Sequence, residues 1–337
     1  MPTTHRSARL TRRTGWRALG GALLAAPALA RHGHGQSRLE DVTLITDFGF
    51  NGRHSYFYLA LEKGFYREAG FNVSILRGQG SADAIRRVAA GNATLGFADA
   101  GALLLARGND QVPVKLSAII YASPPQALFA LQERGLAAPA SLAGRTLADT
   151  AFSSVRLLFG AYARAAGIDP ASVTWVTAES ATLPSLLANG RVDAIGQFTV
   201  GQPLLEAVTA PRPLTRFAYR DVGLDFYGNG LIATENTLAT RPDLVRALTA
   251  ATLKGLREAI ANPEEAGAIM HRAHRQVQPA VAAGETRLVG ELASVPGQPL
   301  GAIDPARVAS TVRVMSDAFT LRSPVAPDEL FVPGLVG

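Results

Sequence analysis

A short motif occurs twice in this chain and restricts the folds available to it. Residues 88–101 read VAAGNATLGFADAG and residues 186–201 read LLANGRVDAIGQFTVG. In each, an apolar helix ends at a glycine, Gly91 or Gly190. A brief turn follows, and then a short apolar strand ends in small or polar residues. One helix–strand unit used in two places, roughly a hundred residues apart, points to two similar α/β lobes. A cleft between two such lobes is where a small molecule would sit.

The segments around the first copy extend the pattern. VTLIT (42–46) reads as a buried strand, DFGFNGRH as a loop, and SYFYLALEKGFYREAG (55–70) as a helix with Ser55 at its start and Gly70 at its stop. FNVSILR alternates as a half-buried strand. GQGS is a turn into the helix ADAIRRVAA, and ATLGFA, GALLLARG and VKLSAIIYA continue as strand, helix and strand. This alternation predicts a mostly parallel sheet flanked by helices. PPQALFALQE (124–133), with Pro124-Pro125 at its head, reads as a crossover into a second lobe of the same type. APRPLTRFAYRD (210–221) reads as the return, leading to the strand YGNGLIATE. Long helices then begin near Pro242, Pro263 and Pro305, and the C-terminus trails off in Pro and Gly. The expected organisation is an α/β, two-lobe fold. Residues 42–123 plus 220–330 form lobe one, 124–219 form lobe two, and 31–41 form a flexible lead-in.

The basic balance belongs largely to the N-terminus. Residues 1–30 hold five arginines (Arg6, Arg9, Arg12, Arg13, Arg17) and no acid, so of 33 Lys+Arg only 28 remain beyond them, against 27 Asp+Glu. No Lys/Arg stripe interleaves with aromatics, which argues against nucleic-acid binding. A basic stretch, the apolar run ALGGALLAAPALA and Ala28-Leu29-Ala30 read as an export signal cleaved near Ala30. Arg12-Arg13 fits the twin-arginine route and the run fits the general secretory route equally. The chain has no Cys, which removes disulfides, thiolate metal sites and a lipoprotein anchor. The expectation is a periplasmic, unanchored protein.

Residues 47–73, DFGFNGRHSYFYLALEKGFYREAGFNV, resemble the opening block of the THI5/NMT1-like branch of periplasmic solute-binding proteins. SADAIRRVAAGNATLGFADAG resembles that family's next block and LVRALTAATLKGLREAIANPEEA its C-terminal helix block. The resemblance spans residues 42 to 270. It implies a type II periplasmic-binding-protein fold, closure of two lobes on a small ligand, and an ABC permease with its cytoplasmic ATPase as partner. It also implies a monomer that binds without catalysis and without a cofactor. Ligands across the branch include thiamine-pyrimidine precursors, alkanesulfonates, taurine and nitrate. Fungal relatives are pyrimidine-making enzymes that use pyridoxal phosphate and a Cys-rich motif. The absence of Cys and the export signal set this chain apart from them. A protein that reports to a membrane sensor is the third reading.

Ligands of parallel α/β sheets bind beyond the carboxyl ends of strands, where helices begin. That rule selects Asp47, Phe48, Asn51, His54 and Tyr56 after the first strand, Gly80 and Ser81 at the next helix start, Asp99 after the third strand, and Tyr121 after the fourth. In the second lobe it selects Phe152, Ser153 and Ser154, then Gln197 and Phe198. Tyr227 follows the return. Gly80, Ser81, Ser153 and Asp99 also suit plain turn and cap roles. Arg53 is the one cation near these positions and falls in a loop that reads as flexible. Aromatic faces beside carboxylates and amides suit a flat, neutral or cationic heterocycle such as a pyrimidine more than a sulfonate or nitrate. His271 and His274 share a helix face, but Arg272 and Arg275 beside them disfavour a metal ion, so none is expected. No nucleophile elbow, P-loop or dinucleotide fingerprint occurs.

Overall fold

The computed structural model describes residues 38–336, so the expected export signal, its cleavage site and most of the lead-in lie outside the described residues. The first series of elements is β1 (Glu40–Ile45), α1 (Ser55–Glu62), α2 (Phe65–Glu68), β2 (Phe71–Leu76), α3 (Ser81–Ala89), β3 (Leu95–Asp99), α4 (Ala100–Asp110) and β4 (Val114–Ile119). The second is β5 (Gln126–Leu131), β6 (Thr146–Asp149), α5 (Ser154–Ala165), β7 (Thr174–Thr177), α6 (Leu183–Ala188), β8 (Ala194–Phe198), α7 (Gln202–Thr209) and β9 (Leu214–Ala218). Then come β10 (Asn229–Thr234) and the helices α8 (Glu235–Thr240), α9 (Pro242–Ala261), α10 (Pro263–Ala273), α11 (Pro279–Ala293), α12 (Pro305–Ala318) and α13 (Pro327–Leu330). Among the described residues no helix is long and apolar enough to cross a membrane.

The strands form two five-stranded sheets, ordered β2-β1-β3-β10-β4 and β7-β6-β8-β5-β9. The repeated unit holds the same place in both. β3 and β8 are the middle strands, parallel to β1 or β6 on one side and antiparallel to β10 or β5 on the other. Both are buried along their whole length, as continuous apolar runs covered on two faces require. Gly91 and Gly190 take φ of 75° and 62° just before them, a left-handed turn that glycine adopts without steric cost. The sheets are mixed where the sequence predicts mostly parallel ones. Neither β5 nor β10 is reached through a crossover helix, which a parallel neighbour in the same sheet needs.

Several boundaries differ from expectation. Glu40 and Asp41 belong to β1 and not to a flexible lead-in; they pair with Phe71 and Asn72, and the Asn72 amide donates to Asp41 at 2.7 Å. The helix expected over 55–70 breaks at Gly64, whose φ of 78° cannot continue an α-helix. Residues 126–131, read as crossover, are the strand β5, and 214–218 of the return are β9, so both passages between sheets are shorter. Residues 279–293 form α11, which the sequence reading does not assign. The C-terminus is ordered as far as α13, and Phe331 beyond it is buried and bridges to Leu116.

In the first sheet's core, Phe97 of β3 meets the edges of Tyr56, Phe57 and Tyr121 at centroid distances of 6.3, 5.8 and 5.4 Å. The helix α9 crosses α1 closely enough that a Cβ on Gly255 would lie 2.6 Å from the Tyr56 carbonyl oxygen and 2.7 Å from Ala60 Cβ. Gly255→Ala therefore overpacks a rigid contact, costing ~1–3 kcal/mol. Alanine's better helix propensity returns ~1 kcal/mol at most. In α5, a Cβ on Gly160 meets only the tip of Arg164 at 3.5 Å, so Gly160→Ala keeps that gain. Urea unfolding should show a lower midpoint for G255A and a higher one for G160A. A G255A protein as stable as the wild type would contradict the helix packing.

Candidate functional site

The loop after β1 is built to bury a charge. Thr46 Oγ1 donates to the Gly49 carbonyl at 2.9 Å, and the Asn51 amide donates to the Phe48 carbonyl at 3.0 Å, so the chain folds back on itself. Gly52 then meets α11, where any Cβ would lie 2.3 Å from Ala282 Cα. This approach lets the Arg53 N–H donate to Glu285 Oε2 at 2.9 Å. Arg53 is only 1% exposed, which corrects its placement in a flexible loop. Its Nη2 lies 3.3 and 3.4 Å from the two Asp47 oxygens. Its Nη1 donates to Gln197 Oε1 of β8, in the second sheet, at 3.0 Å. The guanidinium sits 4.6 Å from the Phe198 ring centroid and 5.3 Å from that of Phe48, a cation–π arrangement with one ring from each lobe.

Asp47 accepts two further bonds, from His54 Nε2 at 2.8 Å and from the Asn229 amide at 2.9 Å. Burial works to raise its pKa, but the Arg53 charge and the bonds from His54 and Arg53 outweigh it and hold the carboxyl below its ordinary value. His54 is pushed down by burial, against the pull of Asp47. The result is an ionised Asp47–Arg53 pair beside a neutral imidazole that donates through Nε2 and whose Nδ1 has no partner among the described residues.

A second set of bonds joins the same sheets. Gln126 Nε2 of β5 donates to Asp99 Oδ2 at 2.6 Å and to Ser154 Oγ at 3.0 Å. Thr150 Oγ1 donates to the Gln79 carbonyl at 2.8 Å, and the Ala82 N–H to the Phe152 carbonyl at 3.3 Å. Gly80 sits so near Phe152 that a Cβ would fall 2.1 Å from its carbonyl oxygen. The space left among Asp47, Phe48, Arg53, Ser81, Ser154 and Gln197 is about 10 Å³, the room of a single water.

Beyond Phe48 and Gln197 the cleft widens into a chamber of about 580 Å³. Its walls are the loop from Phe48 to Gly52, Arg77, the start of α6 with Ser180 before it, the Leu204, Ala207 and Val208 face of α7, Gln278 just before α11, and Val281 and Glu285 of α11. The α7 residues have the i, i+3, i+4 spacing of one stripe, and Val281 and Glu285 are i, i+4 on α11. Asn51 Oδ1 is buried here without a partner among the described residues. Burial pushes the Glu285 carboxyl up to about 7, against the Arg53 charge and backbone N–H.

Of the residues selected from the sequence, Asp47, Phe48, Gly80, Ser81, Ser153, Ser154, Gln197 and Phe198 line the inner space, and Phe48, Asn51 and Gln197 line the outer chamber. The others lie behind these walls. His54 is tied to Asp47, and Tyr56 and Tyr121 are in the core around Phe97. Asp99 caps α4 through the Ala102 N–H at 2.8 Å. Phe152 lies under the Arg86 guanidinium. Tyr227 packs against the C-terminal segment, its hydroxyl accepting from the Asp304 N–H at 3.0 Å. Sequence reasoning missed the buried wall residues Arg53 and Glu285, and also Arg77, Ser180 and the Leu204–Val208 face of α7. Gly52 beside Arg53 was the available signal of a close approach.

The model of the NMT1/THI5-like family matches residues 51–266, well over half of the chain. The chain belongs to the NMT1/THI5-like family. Two curated relatives are similar to it. The formylaminopyrimidine-binding protein of Halalkalibacterium halodurans is 27% identical over 229 residues, covering 68% of this chain and 69% of the relative. The riboflavin-binding protein RibY of Chloroflexus aurantiacus is 29% identical over 248 residues, covering 72% and 69%. Among solved structures, the alkanesulfonate-binding protein SsuA of Xanthomonas axonopodis pv. citri, bound to MOPS, superposes with a TM-score of 0.66. It is 16% identical, and the match covers 87% of this chain and 99% of that one. The fold of this NMT1/THI5-like protein is thus that of type II periplasmic binding proteins.

Glu285 yields a pH test. A carboxyl whose folded pKa of about 7 exceeds an ordinary 4.5 holds its proton more tightly when folded. Its contribution is complete below the lower value and is lost as pH rises through the upper one. Glu285→Gln keeps an acceptor for the Arg53 N–H and removes the titration. E285Q should exceed wild type in stability at pH 8, on the order of 3 kcal/mol, and lose that advantage at pH 4.5. Asp99 and Asp149, raised in the same direction by burial, are present in both proteins and cancel. Parallel stability–pH curves would contradict a desolvated Glu285.

Proposed function

We propose that this protein is the solute-binding component of an ABC importer, holding a small, flat, hydrogen-bonding heterocycle between its lobes and breaking no bond in it. The observation that carries the reading is the neutralised Arg53. The one buried cation of the cleft wall is paired with Asp47 and bonded to Gln197, so it offers little charge to an oxyanion; the other wall cation, Arg77, is exposed, where solvent and salt screen its charge. Phe48 gives an aromatic wall, while Asn51, Gln197 and Glu285 give acceptors and donors suited to ring amino and carbonyl groups. The relatives' names, a formylaminopyrimidine binder and a riboflavin binder, agree with a pyrimidine-type ring and support binding over catalysis. Export to the periplasm, delivery to a membrane permease and a monomeric state belong to the same reading.

Lobe one is proposed to comprise residues 42–123 and 220–330, lobe two 124–219, with hinges at the two short passages between the sheets. Opening there admits ligand and closing places Phe48 and Gln197 against it. A thermal-shift screen of the protein from residue 31 with aminopyrimidines, flavins, alkanesulfonates, taurine and nitrate tests this. A ligand at a hundred times its Kd adds ~2.7 kcal/mol of stability. The expected result is a shift with pyrimidine-type heterocycles, reduced in Gln197→Ala. A shift with sulfonates or nitrate alone would overturn the ligand class.

A further inference from the structure

The slot where a flat ligand would stack, between Phe48 of one lobe and Phe198 of the other, is filled by the protein's own planar group. The Arg53 guanidinium lies between the two rings, 5.3 and 4.6 Å from their centroids, and about 10 Å³ remains beside it. A ring cannot enter there while Arg53 stays paired with Asp47. The space that can hold a ligand is the outer chamber, which shares Phe48 and Gln197 with the inner slot.

That chamber is large for a single ring. A cavity of ~150 Å³ holds one benzene, and this chamber offers about 580 Å³, close to four times as much. Its chemistry is also divided. The loop from Phe48 to Gly52 brings Asn51 Oδ1, unpartnered among the described residues, and, through Arg53, the Glu285 carboxyl. The α7 side brings Leu204, Ala207 and Val208. Val208 is 41% exposed, one of three large hydrophobic residues in that state among the described residues. An apolar residue facing a solvent-filled cavity is best satisfied by an apolar occupant.

We propose, resting on the binding function above, that the ligand is a fused-ring heteroaromatic and not a single pyrimidine. A hydrogen-bonding, pyrimidine-type edge meets Asn51, Gln197 and Glu285, and further apolar rings extend along the Leu204–Val208 face of α7. Ala207 and Val208 select for ligand size and remain secondary for the polar edge.

The test compares lumichrome, which has three fused rings, with 4-amino-5-hydroxymethyl-2-methylpyrimidine, which has one. Affinities are read by isothermal titration on wild type, Ala207→Trp and Val208→Asp. Both positions are exposed, so both variants should fold. The first fills the chamber; the second puts a charge on its apolar wall. Wild type should bind lumichrome at least roughly tenfold more tightly than the single ring. Each variant should lose roughly tenfold or more for lumichrome and clearly less for the pyrimidine. Equal or tighter binding of the single ring, or variants that weaken both probes alike, would overturn the size inference while leaving the binding function standing. Absence of binding by both probes would overturn the heterocyclic ligand class, and the inference with it.

Discussion

A guanidinium removed from water must be neutralised where it lies, and most of the cleft follows from how this chain does so for Arg53. Asp47 supplies the counter-charge, and His54 and Asn229 fill the remaining acceptor positions on that carboxylate. Removing one partner of such a buried pair commonly costs ~3–5 kcal/mol, because a bare charge is left behind. The pair thereby fixes the loop after β1, the entry into α1 and the start of β10. Gly52 and Glu285 extend the same constraint to α11, the helix that forms one wall of the chamber.

Within this network the bonds divide by lobe. Asp47, His54, Asn229 and Glu285 stand with Arg53 in the first lobe, whereas Gln197 and Phe198 come from β8 in the second. Parting the lobes would cost one hydrogen bond from a charged donor, ~1.5–3 kcal/mol, and a cation–π contact of ~0.5–2 kcal/mol. The ion pair itself would survive, so no uncompensated charge would be created. Gln126 adds a bond to the Asp99 carboxylate and Thr150 a neutral one to the Gln79 carbonyl. A sum of a few kcal/mol is what differential ligand contacts can tip in either direction. In this arrangement Gln197 and Phe198 of the second lobe meet Arg53, and Phe48 belongs to the second lobe's own hydrophobic cluster, with Phe129, Leu183 and Leu205.

The twin helix–strand unit was legible because its signals are local: a glycine stop, a turn and an apolar run. Phe48 and Gln197 were legible because strand ends face the cleft by topology. The direction of side chains within those ends was not. Tyr56 and Tyr121 sit at element ends yet point into the core around Phe97, and nothing in their neighbours' periodicity separates the two faces. Tyr227 depends on Thr311 and Asp304, far along the chain. The helix α11 escaped notice because its alanines and glycines (PAVAAGETRLVGELA) give little apolar contrast. Arg53 read as solvated because two of its partners, Gln197 and Glu285, lie 144 and 232 residues away.

The most direct measurement of this account is the distance between the lobes. The chain has no cysteine, so Arg67→Cys and Ala171→Cys, both at exposed positions, carry spin labels on the first and second lobes without competition. Pulsed dipolar spectroscopy then reads the distance distribution in solution. The account predicts a distribution that narrows toward its short limit when a binding heterocycle is added, and that shifts toward longer distances in Arg53→Met. One distribution, the same with and without ligand and in both proteins, would contradict a cleft that closes on its ligand through Arg53 and Gln197.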